Sequence, residues 1–353
     1  MVQLKEGSFG SFQEDPVRMF TWTTDTGLSV TAISYGAIIT SIKVPDKNKV
    51  INDVVLGFDG LEKYMNHNDP HFGAIIGRCA NRIAGATFDI DGKNYQLAKN
   101  VGADHLRGAF KIFSYNWKTS VDGNRVTFSY LSLDMEEGYP GDLISSVTYE
   151  LTEDGTLHQD IIAISSRKTV VNLTNHAYFN LAGHDTGSDE LYNHVVTINA
   201  DKITETSDNS IPTGRFLEVE GTPFDLRNPV RLGDAMREGD QLFDDNFCVN
   251  TKENKVELNF VARVVHPPSG RLLEVYSNQP GVQLYTSNFL PAPSDVAIVG
   301  KNGVGYRRHG AFCLETQNYP DAIHHQNFPT PILKPGEVYK HRVKFCFGVV
   351  KNR

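Results

Sequence analysis

The 353-residue sequence predicts an all-β fold: one large antiparallel sandwich spanning residues 1–353, with few short helices. Three observations carry this. The dominant hydrophobic period is two, tight-turn dipeptides recur between strand-like runs, and helical patterns are scarce. Length alone would suggest two domains, but all-β units often run this long. No repeat, low-complexity tract or linker rich in Pro, Gly and Ser divides the chain.

Taken in order, Asp-Gly steps occur at 59–60, 91–92, 122–123 and 154–155. The last three are flanked by runs such as "TFDI", "YQLA", "RVTFSYLSL" and "VTYEL", and Asp-Gly favours the tight hairpin turn. "GLEKYM" at 60–65 and "LGDAMRE" at 232–238 are each expected to give a short helical stretch. "KVELNFVARVV" sets Val256, Leu258, Phe260, Ala262 and Val264 against Glu257, Asn259 and Arg263, the alternation of a half-buried strand. "PPSG" at 267–270 then turns the chain into "RLLEVYS", predicting a hairpin. Strands that follow one another without helices favour antiparallel packing over βαβ units.

The net charge of −8 argues against nucleic acid or an anionic membrane as partner, since both select basic faces. No window reaches the roughly 18 apolar residues of a membrane span. The N-terminal stretch carries Lys and Glu early and lacks the apolar core of a secretory signal. Cys79, Cys248, Cys313 and Cys346 are far apart and form no CxxC pair, so a reducing cytoplasm is the expected compartment. The triplet Asn172-Leu173-Thr174 is then no glycosylation site.

Chemistry is suggested where a strand's second face is polar in a specific way. In "NLTNHAYFNL" (172–181), Leu173, Ala177, Phe179 and Leu181 oppose Asn172, Thr174, His176, Tyr178 and Asn180. Amides, a hydroxyl, an imidazole and a phenol can all exchange hydrogen bonds with an uncharged, hydroxyl-rich ligand such as a sugar. In "SNQPGVQLYTSNF" (277–289), Gln283 and Tyr285 oppose Val282 and Leu284, and Gln279 precedes a Pro-Gly turn. "GRCANRIAGATF" (77–88) offers Asn81 and the donor fork of Arg82. In "AFCLETQNYP" (311–320), Cys313, Glu315 and Gln317 share one face while Phe312 and Leu314 take the other. Each segment also has a plain structural reading. A Glu among apolar residues, though, must face either water or a polar cavity.

Together with "FDDNF" (243–247), these motifs in this order resemble the aldose 1-epimerase (galactose mutarotase) family from about residue 20 to the C-terminus. The resemblance implies a β-supersandwich with an open cleft, an aldohexose substrate such as galactose or glucose, and no cofactor or metal. It implies Glu315 as catalytic base and His176 as catalytic acid. Asn81, Arg82, Tyr178, Asp244 and Gln279 match positions that bind or line the sugar site. Two departures stand out: "LRGA" puts Arg107 where the family has a binding His, and Asp245 replaces a second His. His105, two residues before Arg107, shares its side if the segment is extended, so either could take over the lost contact. Asp244 is the expected source of negative field holding His176 protonated, and Asp245 could add to that field or sit behind the site.

Interconverting anomers needs one base and one acid flanking the C1–O5 unit and nothing redox-active. A non-catalytic hexose-binding protein and a mutarotase of phosphorylated hexoses remain alternatives. The His67/His71 and His324/His325 pairs are read as solvent-facing rather than metal-binding, because Pro70 breaks the helix that His-x₃-His would need. The assembly expected is a monomer or weak homodimer.

Overall fold

The computed structural model describes residues 1–66, 70–108, 112–236, 242–251 and 258–350. The architecture is antiparallel β, as the period of two predicts, and its three largest sheets share one core. An N-terminal sheet runs through Gln3–Phe12, Asp15–Thr23, Ser29–Ile33, Ile39–Pro45 and Ile51–Asp53. A nine-stranded sheet centres on Leu143–Leu151, Thr156–Ser165, Tyr339–Val349 and Arg271–Ser277. A five-stranded sheet, in the order Pro212–Glu218, Ala200–Thr206, Asp244–Val249, Gly281–Tyr285, Cys313–Gln317, carries the polar face. Phe20, Phe128, Val147, Phe179, Leu284, Leu314 and Phe345 belong to one buried cluster, so burial couples all three sheets.

The expected hairpin exists: Asn259–His266 pairs with Arg271–Ser277 through the 267–270 turn, while residues 255–257 lie outside the described residues. The Asp91-Gly92 turn joins Thr87–Ile90 to Lys93–Gln96. At 122–123 the turn is displaced by one residue, since Asp122 pairs with Arg125 and leaves Gly123-Asn124 as the loop. Helices form at Leu61–Asn66 and Leu232–Ala235, and an unpredicted one at Gly187–Leu191. Among the described residues no helix is long and apolar enough to cross a membrane.

Segment 172–181 departs from its prediction. Only Thr174–Asn175 is strand, paired with Ile75–Ile76, and the whole stretch is buried on both sides. Its amides mostly bond to main chain rather than facing a ligand. Asn172 and the Asn318 backbone exchange two bonds, and Asn180 Nδ2 donates to Gly310 O. Thr174 Oγ1 donates to Thr316 O at 2.8 Å. Those staples fix the segment against the Glu315 strand and leave His176 and Tyr178 for the cleft.

Candidate active site

Antiparallel register builds the site as a grid, because directly paired residues share a face. Asp244, Tyr285 and Cys313 lie in one row across three strands, and Asn246, Gln283 and Glu315 in the next. Gly281 and Gln317 continue the face. A side chain on Gly281 would run into Asn246 Oδ1 at 2.5 Å, so glycine keeps this row open. The alternate residues Val282, Leu284 and Leu314 enter the core.

Gln283 is the hub. Its Nε2 donates to Asp244 Oδ1 at 2.9 Å, while its Oε1 accepts from Asn81 and Gln317, both at 3.1 Å. Asn81 sits in the left-handed region with φ 62°, which Asn tolerates better than most residues, and its Oδ1 accepts from the Arg82 backbone. Arg82 Nη2 then lies 3.9 Å from Asp244 Oδ2.

His176 meets the grid from the 172–181 segment. Its Nε2 lies 3.7 Å from Glu315 Oε1, and its Nδ1 lies 3.5 Å from Cys313 Sγ. The ring stacks on Tyr178 with 4.9 Å between centroids and 6° between planes. Buried Nε2 has no hydrogen-bond partner among the described residues, so this nitrogen is open to engage a ligand. A Cys313 thiol donating to Nδ1 would leave the proton of the neutral ring on Nε2.

Glu315 does not face bulk water: it is 9% exposed and shares its face with the polar side chains of Asn246, Gln283 and Gln317. Desolvation pushes its carboxyl up to about 8, with Asp244 adding to the rise and Arg107 opposing it. His176 moves well below the usual imidazole range, chiefly through burial and then through the charges of Arg107 and His71. This corrects the expectation that Asp244 holds His176 protonated. Asp244 is engaged by Gln283 and Arg82, and the charge pressing on His176 is positive.

Arg107 does join the site. Its backbone N–H donates to Asn81 O at 2.8 Å, and its φ of 66° places it in the left-handed region. Gly108 follows in the same region, where a Cβ would collide with the Gly77 carbonyl. The turn aims Arg107 into the field of Tyr178, Glu315, Asp244 and Tyr285. It also breaks the extended spacing that was to put His105 beside it. His105 is fully buried, with Nδ1 2.7 Å from Ala98 O and its ring against Tyr139, away from the cleft. Gln279 is likewise elsewhere: its Nε2 bonds Asn278 Oδ1 and Lys340 O across a different groove. Gln283 takes the place expected of it, and the alternation that set Gln283 and Tyr285 on the polar face was the signal for it. Asp245 pairs with Leu284 on the reverse face, and desolvation pushes its carboxyl up to about 7, so it sits behind the site.

Of the other histidines read as solvent-facing, only His324 is exposed among the described residues. His67 lies outside the described residues, whereas half-buried His71 packs 4.3 Å from the Phe113 ring and acts on His176. His324 and His325 both hold the buried Asp321 carboxylate, at 2.6 and 3.5 Å. His176, Cys313 and Glu315 could between them offer three metal-ligand atoms within 4.8 Å, although the adjacent Arg107 charge disfavours a cation. Outward from Arg107, Tyr178 and Tyr285 the cleft continues as a cavity of about 640 Å³ walled by Phe58, Leu290, Pro291 and Ile298, with Lys63 on its far side.

The aldose 1-epimerase family profile matches residues 18–346. Galactose mutarotase of Bos taurus is 47% identical over 353 residues, 99% of this chain and 100% of that protein. That of Homo sapiens is 48% identical over 324 residues, 91% and 92% of the two chains. A crystal structure of an aldose epimerase homologue from C. elegans superposes with a TM-score of 0.87 at 29% identity, covering 95% of this chain and all of that one. The chain therefore belongs to the aldose 1-epimerase family.

Proposed function

We propose that the protein interconverts the α and β anomers of aldohexoses such as galactose and glucose, with Glu315 and His176 as the proton-transfer pair. The observation that carries this is the 3.7 Å gap between His176 Nε2 and Glu315 Oε1 across a polar cleft. Ionised Glu315 removes the proton from O1–H as protonated His176 delivers one to O5. The C1–O5 bond breaks and the open aldehyde forms. After rotation about C1–C2, O5–H attacks the other face of C1, neutral His176 takes the O5 proton and Glu315–H returns its own to O1. The pair ends as it began, and no redox step enters.

In the empty site the perturbed groups lie the other way round, so the cycle begins once the bound sugar's O1 and O5 draw the shared proton from Glu315 to His176. Burial raises the acid and lowers the imidazole, so between these limits the pair holds one proton, on the carboxyl when the site is empty. Neutral His176 beside protonated Glu315 is also the form complementary to the open-chain aldehyde. Asn81, Arg82, Asp244 and Gln283 supply donors and acceptors for ring hydroxyls, and Tyr178 supplies a wall beside the acid. All four cysteines are unpaired, which supports a reducing, cytoplasmic setting.

Polarimetry on freshly dissolved α-D-galactose tests the proposal. The purified protein should accelerate the approach to anomeric equilibrium, and Glu315→Gln should lower kcat by roughly 10²–10⁴-fold. A Glu315→Gln enzyme at wild-type rate would remove the carboxylate from the mechanism. A wild-type protein that binds galactose yet turns it over no faster than buffer would leave only the sugar-binding alternative.

A further inference from the structure

The Arg82 side chain is loosely held. Its Nη2 lies 3.9 Å from Asp244 Oδ2, and its buried Nε has no hydrogen-bond partner among the described residues. Its backbone, by contrast, is gripped on both sides of Ile83. The Asp321 N–H donates to Arg82 O at 3.0 Å, and Asp321 Oδ1 accepts from the Ala84 N–H at 3.0 Å. That aspartate is 3% exposed, and a carboxylate is costly to bury unless it is fully partnered. His324 Nδ1 at 2.6 Å and His325 Nε2 at 3.5 Å supply the other partners. Both histidines belong to its own turn. Among the described residues, the one segment this carboxylate bonds beyond that turn is the stretch behind Arg82. Asp321 also takes φ 55°, a left-handed conformation that Asp, Asn and Gly reach at least cost.

We infer that Asp321 is a positioning residue for sugar binding: it locks the Asn81–Arg82 wall of the cleft to the stretch that carries Glu315. The inference rests on the sugar site proposed above and adds to it a residue that touches no substrate. Glu315 and Asp321 lie on one continuous run, which Asn318 pins midway by exchanging two hydrogen bonds with Asn172. The facing wall is built up from Arg82. Leu106 pairs with Arg82, and the Arg107 N–H donates to Asn81 O, so the turn bearing Arg107 rests on the same anchor. One buried carboxylate thereby sets how far the Asn81–Arg82 wall stands from the Glu315 carboxyl. Prior fixing of that backbone matters because a loosely tethered Arg82 would otherwise have to be ordered by each sugar that binds, at a cost in affinity.

Calorimetric titration of the intact protein with D-galactose, alongside polarimetric kcat and KM, provides the test. Asp321→Gly deletes the carboxylate yet permits the left-handed backbone. It should raise Kd and KM about tenfold and hold kcat within about threefold, the scale of one lost charge-assisted anchor. Asp321→Asn keeps an oxygen for the Ala84 N–H and should recover most of that affinity. In an Arg82→Ala background the effect of Asp321→Gly should shrink, since a group it positions is gone. His324→Ala removes a partner of the carboxylate from an exposed position and should raise Kd about threefold, which carries the test if the glycine variant does not fold. The inference is overturned by a Kd within about twofold of wild type in Asp321→Gly, or in His324→Ala where that one stands in. It is overturned equally by a kcat that falls as far as affinity, by an Asn variant no better than the Gly one, or by Asp321→Gly and Arg82→Ala effects that simply add. A wild type that binds galactose without turning it over would instead overturn the proposed activity and leave the affinity comparison standing.

Discussion

Two glutamate–histidine pairs in this molecule are built from the same groups to opposite ends. Glu190 Oε2 meets His266 Nε2 at 2.7 Å, and His266 Nδ1 meets Ser269 Oγ at 2.8 Å, so both ring nitrogens are occupied. Glu315 and His176 stand 3.7 Å apart, and the Nε2 between them is unpartnered. Surroundings explain the rest. Glu190 is more than a third exposed, and the His266 hydrogen bond draws its carboxyl below the usual range. Glu315 is buried beside Asp244, and its carboxyl is driven up. A closed pair spends its hydrogen bonds on the fold; an open one keeps them for a substrate.

Breaking each pair should expose this difference. His176→Ala is expected to lower kcat for galactose by roughly 10²-fold or more, and loss of the buried ring that stacks on Tyr178 should also lower the thermal midpoint. Glu190→Gln should keep kcat within about twofold and cost no more than ~1 kcal/mol of stability, as a partly exposed pair contributes modestly. Polarimetry and thermal unfolding of both variants check the contrast. Equal losses of activity would erase it.

The pH profile sharpens the same point. Above about pH 8 the Glu315 carboxyl is ionised while His176 is already neutral, so the pair lacks a proton to deliver and kcat/KM should fall about tenfold per pH unit. Activity should hold on the acid side to below pH 6.5, because His176 gains its second proton only well under the ordinary imidazole value. Rates corrected for spontaneous mutarotation at each pH provide the measurement. A fall centred near pH 6.5 would place the controlling group elsewhere.

Gln283→Ala should raise KM for galactose about tenfold, as it unties Asp244, Asn81 and Gln317 together, with a smaller effect on kcat. A KM within twofold of wild type would deny it the role of hub. The smallest expected effect concerns stability. The folded Glu315 carboxyl holds its proton to about 8 and the unfolded one only to about 4.3, so the folded state loses stability as pH rises between these values. Glu315→Gln removes that cost. Its thermal midpoint should exceed wild type by a margin that grows from pH 5 to 8, equivalent to at most a few kcal/mol. A margin independent of pH would contradict the raised carboxyl.

Sequence pattern reached the fold and the polar face that carries Glu315 for a physical reason, whereas the roles expected of Glu315 and His176 came from the family resemblance alone. A strand's period of two is local, so the polar face holding Cys313, Glu315 and Gln317 was visible in five residues. Register between strands is not local. The pairing of Gln283 with Glu315 arises from the packing of strands more than twenty-five residues apart, which is why Gln279, four positions away in the same polar stretch, stood in for it. His105 failed on a single dihedral: the left-handed turn at Arg107 sends neighbouring side chains in unrelated directions. The polar row from Asn172 to Asn180 misled because amides that bind a sugar and amides that staple buried backbone are the same residues in a sequence.

The most direct measurement is a structure with galactose bound. O1 is expected within hydrogen-bond reach of Glu315 and O5 within reach of His176 Nε2, on either side of the present 3.7 Å gap. A hexose whose anomeric carbon points out toward Lys63, with neither group near O1 or O5, would contradict the account.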